Sequence, residues 1–365
     1  MKAAILRAAR EPLSIETVDL DGPRPEEVRI RVAATGLCHS DYHVMSGDLG
    51  STFPIVLGHE GAGIIEAVGS DVRGLAVGDH VVTCTSIYCG HCGECQDGHN
   101  HLCDDKPVRA NLPAHSPISQ NGQPINAFCN LGTFAEEMVV HHTAVTKLPE
   151  GMPLDVASVL GCAVLTGIGS VTQGAEVKAG SKVVVLGCGG VGLNVVQGAR
   201  LAGAAQIIAV DLNPAKLELA RQFGATDTVG GGEGAIEQVL ELTRGGADYV
   251  FEVVGMPLLQ RQGFMMLRKR GTLVLVGLPK MGSELAVPAI PMIVKETRVI
   301  GSNMGSVPFQ RVIPTYAQLY LDGRLTLDPL ISQRIRLEVS QLALLTKHHG
   351  ALRLIVEARD KIVTV

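Results

Sequence analysis

Long runs of lysine or arginine are absent from the 365-residue chain. Its formal charge is -5 and its isoelectric point lies near 6.2. Nucleic-acid binders are usually basic, and anionic membrane surfaces attract clustered cations, so neither partner is expected. Internal repeats and low-complexity segments are also missing. The composition, 46% hydrophobic and 18% charged, is that of a soluble globular protein, and the length favours two domains over one. The N-terminal stretch MKAAILRAAREPLSIETVDL reads as strand, turn and strand, too interrupted for a signal h-region. One stretch, 156–175, carries no charge, yet four glycines and several hydroxyl side chains make it weakly apolar. A buried crossover segment is expected there in place of a membrane span, and the protein is expected to be cytoplasmic.

Nine cysteines are present. A cytosolic chain keeps its thiols reduced and an odd number cannot all pair, so metal ligation is the expectation. Residues 1–150 hold short β-type runs (VRIRVAATG, GAGIIEAVG, DHVVTC, AEEMVVH) between Gly, Pro and Asp, with no heptad pattern. That texture predicts an irregular, mostly antiparallel β domain. From 156 to about 302, apolar runs alternate with helical segments. Strands are predicted at 182–187, 206–211, 225–229, 247–255, 271–277 and 298–302. Such alternation implies a doubly wound parallel sheet covered on both faces. The tail, 303–365, is too short for a third domain and is expected to complete the first, whose main body is 1–155.

Cys89, Cys92, Cys95 and Cys103 fall within one short loop, separated by Gly90, Gly93 and Gly98. Four thiolates form the closed tetrahedral shell of structural zinc, and glycine permits the tight turns between them. A ferredoxin motif would have a shorter last gap followed by proline; an iron–sulfur cluster and free thiols remain the alternatives. A filled shell leaves no position for substrate, so this knot staples a loop.

A second, scattered set comprises Cys38, His39, Ser40, Asp41 and His43 in GLCHSDYH, His59 and Glu60 in GHEGAGIIEAVG, and Cys162 in GCAVLTG. Spacing alone does not make these one site. Taken residue by residue, Cys162 reads equally as a core residue and His59 as a satisfied core histidine. The order GLCHSDYH, GHE-x2-G-x5-G-x2-V, four-cysteine lobe and GCAVLTG nevertheless resembles the zinc-dependent medium-chain alcohol dehydrogenase family across essentially the whole chain.

That resemblance implies a GroES-like catalytic domain joined to a Rossmann domain, with a cleft between them and two zinc ions per chain. It implies that Cys38, His59 and Cys162 hold the catalytic zinc, a set that leaves a fourth position for alcohol or water. It further implies that Asp41 orients His59, that Glu60 stands behind the metal, and that Ser40 and His43 relay the alcohol proton. The bland readings are loop acids for Asp41 and Glu60, a turn cap for Ser40 and a surface residue for His43.

KVVVLGCGGVG ends a predicted strand in Gly187-x-Gly189-x-x-Gly192 and opens a helix. Asp211 follows about 20 residues later at the end of the next strand, the context that makes the motif specific. Gly187 makes the turn, Gly189 admits the pyrophosphate, and Gly192 allows close helix packing. An acid at 211 can accept bonds from ribose hydroxyls and repels a 2′-phosphate, which favours NAD over NADP. By resemblance, His39, Thr166, Gly190, Val191, Lys216 and Arg353 complete the cofactor set; Lys216 also reads as a solvated helix residue.

Thr85 stands where the family often has a large aromatic wall, so a roomy pocket for bulky primary alcohols and aldehydes is expected. The segment NGQPINAFCNLGTFAEEMVVH resembles the longer-loop branch, which includes glutathione-dependent formaldehyde enzymes; a thiol adduct is therefore the alternative substrate. A non-catalytic NAD-binding member is a further alternative, although no ligand is missing. Cys84, Cys129 and Cys188 read as small packing residues. A homodimer or homotetramer, formed through the edge of the cofactor sheet, is implied by resemblance.

Overall fold

The computed structural model describes residues 1–109, 116–337 and 354–357; Arg353 lies outside them. Two compact units emerge, Met1–Cys162 with the chain from Pro308 onward, and Ala163–Val307.

Alternating burial along Glu27–Gly36 makes it the central strand of the first unit. It pairs antiparallel with Glu60–Val68, with Glu137–His141 along its first half and with Leu354–Glu357 along its second. Among the described residues, His80–Thr83, Val145–Lys147 and Gln333–Arg336 bring this sheet to seven strands. Two register shifts in the Glu27–Gly36 pairing with Glu60–Val68 bend it, as bulges do. A second sheet of six short strands contains Lys2–Leu6 and Ile55–Val56. Its core gathers Ile5, Leu6, Leu57 and Phe134, all fully buried. The last residues of Glu27–Gly36 and the first of Glu60–Val68 lie side by side, Gly36 opposite Glu60. This pairing brings the segments after one strand and before the other together.

In the second unit, Lys182–Leu186, Gln206–Asp211, Asp227–Gly230, Ala247–Glu252, Leu267–Leu275 and Arg298–Gly301 form one sheet. All its pairings are parallel, and the third, second, first, fourth, fifth and sixth strands lie in that spatial order. This is the doubly wound dinucleotide arrangement expected. Leu267–Leu275 begins earlier than predicted, through the charged stretch LRKR, whose hydrophilicity hides it from an apolar-run search. Helix Pro214–Phe223 shows local control of its ends: the Asn213 side chain accepts the Ala215 N–H at 2.9 Å, and Gly224 closes it with φ +115°.

The uncharged stretch is the crossover from the first unit to the second. It is broken into two helical pieces, Leu154–Gly161 and Ala163–Gly174. No single helix among the described residues is long and apolar enough to cross a membrane.

Candidate metal centres and cofactor turn

Strand Glu27–Gly36 leads directly into helix His39–Ser46, whose N-cap is Cys38. The Asp41 carboxylate folds back to accept the Cys38 N–H at 2.9 Å and also accepts the Gly58 N–H at 2.9 Å. Its Oδ1 lies 3.2 Å from His59 Nδ1. One fully buried acid therefore ties together both ligand-bearing segments and leaves His59 Nε2 for another partner.

Cys162 joins from a distant part of the chain, its Sγ 4.0 Å from that of Cys38. Gly161 makes this approach possible, because a Cβ there would fall 1.9 Å from the Thr83 carbonyl oxygen. One ligand atom each from Cys38, His59, Glu60 and Cys162 lies within 4.8 Å of the others, and all four residues are buried. Gly36 makes room for the acid: a Cβ at that position would stand 2.2 Å from Glu60 Oε2. Burial pushes the His59 pKa down, but the Asp41 carboxylate and the Cys38 sulfur outweigh it and hold the imidazole well above its ordinary value. A buried cluster that draws positive charge so strongly fits a divalent cation, and two sulfurs with one imidazole suit zinc.

Ser40 Oγ lies 3.7 Å from Cys38 Sγ. His43 is on the same helix face, three residues on, and its side chain is only 15% exposed, so it is not a surface residue. His39 is exposed, with its ring 4.8 Å from that of His43.

The four sulfurs of Cys89, Cys92, Cys95 and Cys103 also lie within 4.8 Å of one another. Backbone N–H groups turn toward them: those of His91 and Cys92 toward Cys89 Sγ at 3.4 and 3.3 Å, and that of Cys89 toward Cys103 Sγ at 3.3 Å. Backbone donors at Asp104 and Cys95 hold the Cys92 thiol down to about 6. Burial, with Cys92 and Cys103 alongside, pushes Cys95 up to about 12. The first thiolate forms easily and the later ones do not, a conflict that a bound cation removes.

The second unit carries the glycine turn. Gly187 has φ +100°, and a Cβ on Gly192 would stand 1.9 Å from the Gly187 carbonyl oxygen, so neither position admits a side chain without distortion. Around Gly189, the N-cap of helix Gly190–Leu201, a Cβ would meet only open space. Open space at a helix N-terminus is what a pyrophosphate requires. Asp211 accepts the Cys188 N–H at 2.8 Å and the Asn213 N–H at 2.9 Å. Both oxygens are thus anchored, and each keeps a lone pair for a ribose hydroxyl. Val191 and Lys216 are half-buried, while Thr166 is buried in helix Ala163–Gly169.

Two residues went unnoticed in the sequence. Glu252 is fully buried at the end of its strand and accepts the Val254 and Gly255 N–H groups, each at 2.8 Å. Burial raises its pKa, and it fixes the turn whose Val253 and Val254 side chains abut Gly187. An acid closing the apolar run ADYVFE was the available signal. Phe128 sets its ring edge-on to His59, with centroids 5.5 Å apart. Cys129, next to it and expected to be a small packing residue, is half-buried with φ +54°, and burial raises its thiol to about 11. Cys84 and Cys188, in contrast, are fully buried.

Comparison with known proteins agrees with this geometry. Residues 24–150 match the family model described as alcohol dehydrogenase GroES-like domain, and residues 190–321 match zinc-binding dehydrogenase. The chain is 35% identical over 370 residues to an alcohol dehydrogenase class-3 of Oryza sativa subsp. japonica, covering 99% of this chain and 97% of the relative. It is 40% identical over 346 residues to the NDMA-dependent alcohol dehydrogenase of Amycolatopsis methanolica, covering 92% and 93%. The crystal structure of benzyl alcohol dehydrogenase from Acinetobacter calcoaceticus superposes with a TM-score of 0.90 at 30% identity, covering 98% and 99%. The chain therefore belongs to the zinc-dependent medium-chain alcohol dehydrogenase family and is an oxidoreductase that uses zinc and NAD.

Proposed function

We propose that the protein interconverts primary alcohols and aldehydes with aromatic or otherwise bulky substituents, using NAD. The carrying observation is the convergence of Cys38, His59 and Cys162 at one buried point. When bound, zinc acidifies an alcohol and polarises an aldehyde, and NAD exchanges the hydride.

The chain's own residues do the rest. Cys38, His59 and Cys162 hold the metal, and Asp41 fixes the His59 tautomer through Nδ1. Glu60 supplies an oxygen donor beside them. Ser40 Oγ receives the alcohol proton and His43 hands it to solvent. The four lobe cysteines hold the second zinc. Gly187, Gly189, Gly190, Val191 and Gly192 cradle the pyrophosphate, Asp211 selects the ribose, and His39, Thr166 and Lys216 add contacts. In this reading the first compact unit is the catalytic domain and the second the cofactor domain.

The preference for bulk rests on Thr85, half-buried just beyond strand His80–Thr83, and on the similarity to a benzyl alcohol dehydrogenase. The class-3 relative, together with relatives named S-(hydroxymethyl)glutathione dehydrogenase, favours a second reading, in which a glutathione adduct is the substrate. For assembly we propose pairing of the edge strand Arg298–Gly301, beside which Ile290, Ile293 and Val294 are each more than 70% exposed. Nine free thiols suit a reducing compartment such as the cytoplasm.

A panel of ethanol, benzyl alcohol and S-hydroxymethylglutathione, with NAD and NADP, tests the substrate reading through the absorbance of the reduced nicotinamide. A higher kcat/KM for benzyl alcohol than for ethanol supports it. Equal values, with Thr85→Phe unable to favour ethanol, count against it, and activity confined to the glutathione adduct selects the second reading. No turnover despite about two zincs per chain would leave a non-catalytic NAD-binding member. Analytical ultracentrifugation checks assembly: a monomer at micromolar concentration removes that part.

A further inference from the structure

A third group of metal-competent side chains lies in the first unit, apart from both zinc clusters. One ligand atom each from Glu26, His141 and His142 lies within 4.8 Å of the others. The backbone creates this meeting. Strand Glu137–His141 pairs antiparallel with the start of Glu27–Gly36, His141 opposite Glu27, and the His142 N–H donates to the Glu26 carbonyl at 2.9 Å. The three side chains thus project from two hydrogen-bonded strand ends, and their rough positions are set by the fold. The two imidazole rings are 4.6 Å apart.

Two features separate this group from a chance surface cluster. The His141 side chain is only 9% exposed, yet its Nε2 has no hydrogen-bond partner and points toward Glu26 Oε2 at 3.7 Å. A buried ring nitrogen without a partner is costly and calls for a ligand. The neighbouring charges also leave Glu26 available. Arg109, itself 6% exposed, engages Asp21 and Glu27 at 2.6 Å each, so its guanidinium is committed to the two other acids at this corner. His141 also lines a cavity of about 310 Å³, shared with Glu27, Arg109 and Asn130.

We propose that Glu26, His141 and His142 form an accessory site for a divalent transition cation, zinc above all. Two imidazoles and a carboxylate are a ligand set that zinc accepts, with the remaining position taken by water. Ligands about 2.1 Å from a shared ion stand at most about 4.2 Å apart, so modest side-chain rotation closes the set. In the structure His141 Nδ1 accepts the Thr143 N–H at 3.2 Å, so a cation on Nε2 requires the proton to move to Nδ1, where Thr143 Oγ at 2.8 Å takes it in place of that backbone bond. The bound ion clips the end of one strand to the start of its neighbour.

The test uses the intact zinc-replete enzyme, freed of loose metal by dialysis and titrated calorimetrically with zinc chloride; thermal midpoints are recorded in parallel. Wild type takes up one further equivalent, and its midpoint rises. Glu26→Gln and His142→Ala each weaken this uptake by about 10-fold or more and abolish the rise, while alcohol oxidation and circular dichroism stay at wild-type values. Identical zinc affinity in wild type and both variants, or no further uptake by wild type at millimolar zinc, overturns the site.

Discussion

Asp41 is the buried joint of the proposed active-site metal centre, and Asp41→Asn tests that role with almost no change in shape. The carboxylate accepts from the N–H groups of Cys38 and Gly58 and lies 3.2 Å from His59 Nδ1. An amide has one acceptor oxygen. If that oxygen keeps Gly58 and His59, the amide nitrogen faces the Cys38 N–H, donor against donor. A buried donor left unsatisfied costs about 1–3 kcal/mol. At about 2–4 °C per kcal/mol for a unit of this size, the midpoint falls by about 2–12 °C. The His59 ring is also held less firmly, and loss of such a supporting partner weakens metal binding by about 10–100-fold. Zinc release into excess chelator reads this directly, and the four-cysteine lobe provides an internal control in the same molecule. One of the two zincs should leave faster from the variant while the other leaves at the wild-type rate. Asp41→Ala, which removes the acceptor for all three donors, should exceed asparagine in both readouts. Unchanged release of both zincs from Asp41→Asn, at an unchanged midpoint, would refute the assignment of Asp41 as the orienting acid.

Gly192→Ala drives a methyl group into the Gly187 carbonyl; an overpacking strain of about 1–3 kcal/mol should appear as weaker NAD binding by calorimetry, and unchanged affinity would contradict the role of the turn. Arg109→Met leaves the largely buried Glu27 without its guanidinium, a loss of about 3–5 kcal/mol for a broken buried pair, visible as a lower midpoint. At the surface, the Arg7 hydrogen bond to Glu16, helped by Ser14, holds that carboxyl at about 2. The folded value lies below the unfolded value of 4.5, so the stabilisation is complete above that pH and disappears as pH falls toward 2. The pair is exposed and screened by salt, so Arg7→Met should slightly flatten the acid limb of midpoint against pH at low salt; an unchanged limb would deny the pair any contribution.

The parallel sheet was legible because strands buried on both faces read as unbroken apolar runs: KVVVL and QIIAVD coincide with Lys182–Leu186 and Gln206–Asp211. Short-range chemistry was equally open. The four lobe cysteines and the glycines of the dinucleotide turn lie close in sequence, so spacing alone carries their geometry. The convergence of Cys38, His59 and Cys162 was not open in that way. It depends on the Gly36–Glu60 pairing and on the contact of Gly161 with Thr83, neither of which is periodic, and only resemblance to a family linked the three.

The group at Glu26, His141 and His142 shows the same limit with no family pattern to help. Consecutive histidines at the end of AEEMVVHH were visible, but a pair of histidines is two ligands, and the third is supplied by register. Shifting the Glu137–His141 pairing by one residue would reverse which side chains face together, and Glu26 would no longer stand opposite His142. Two histidines and an acid far apart in the chain acquire a shared chemistry only once the sheet has formed. Metal competence here is therefore a property of strand register, and any substitution that shifts that register should remove it without touching a ligand.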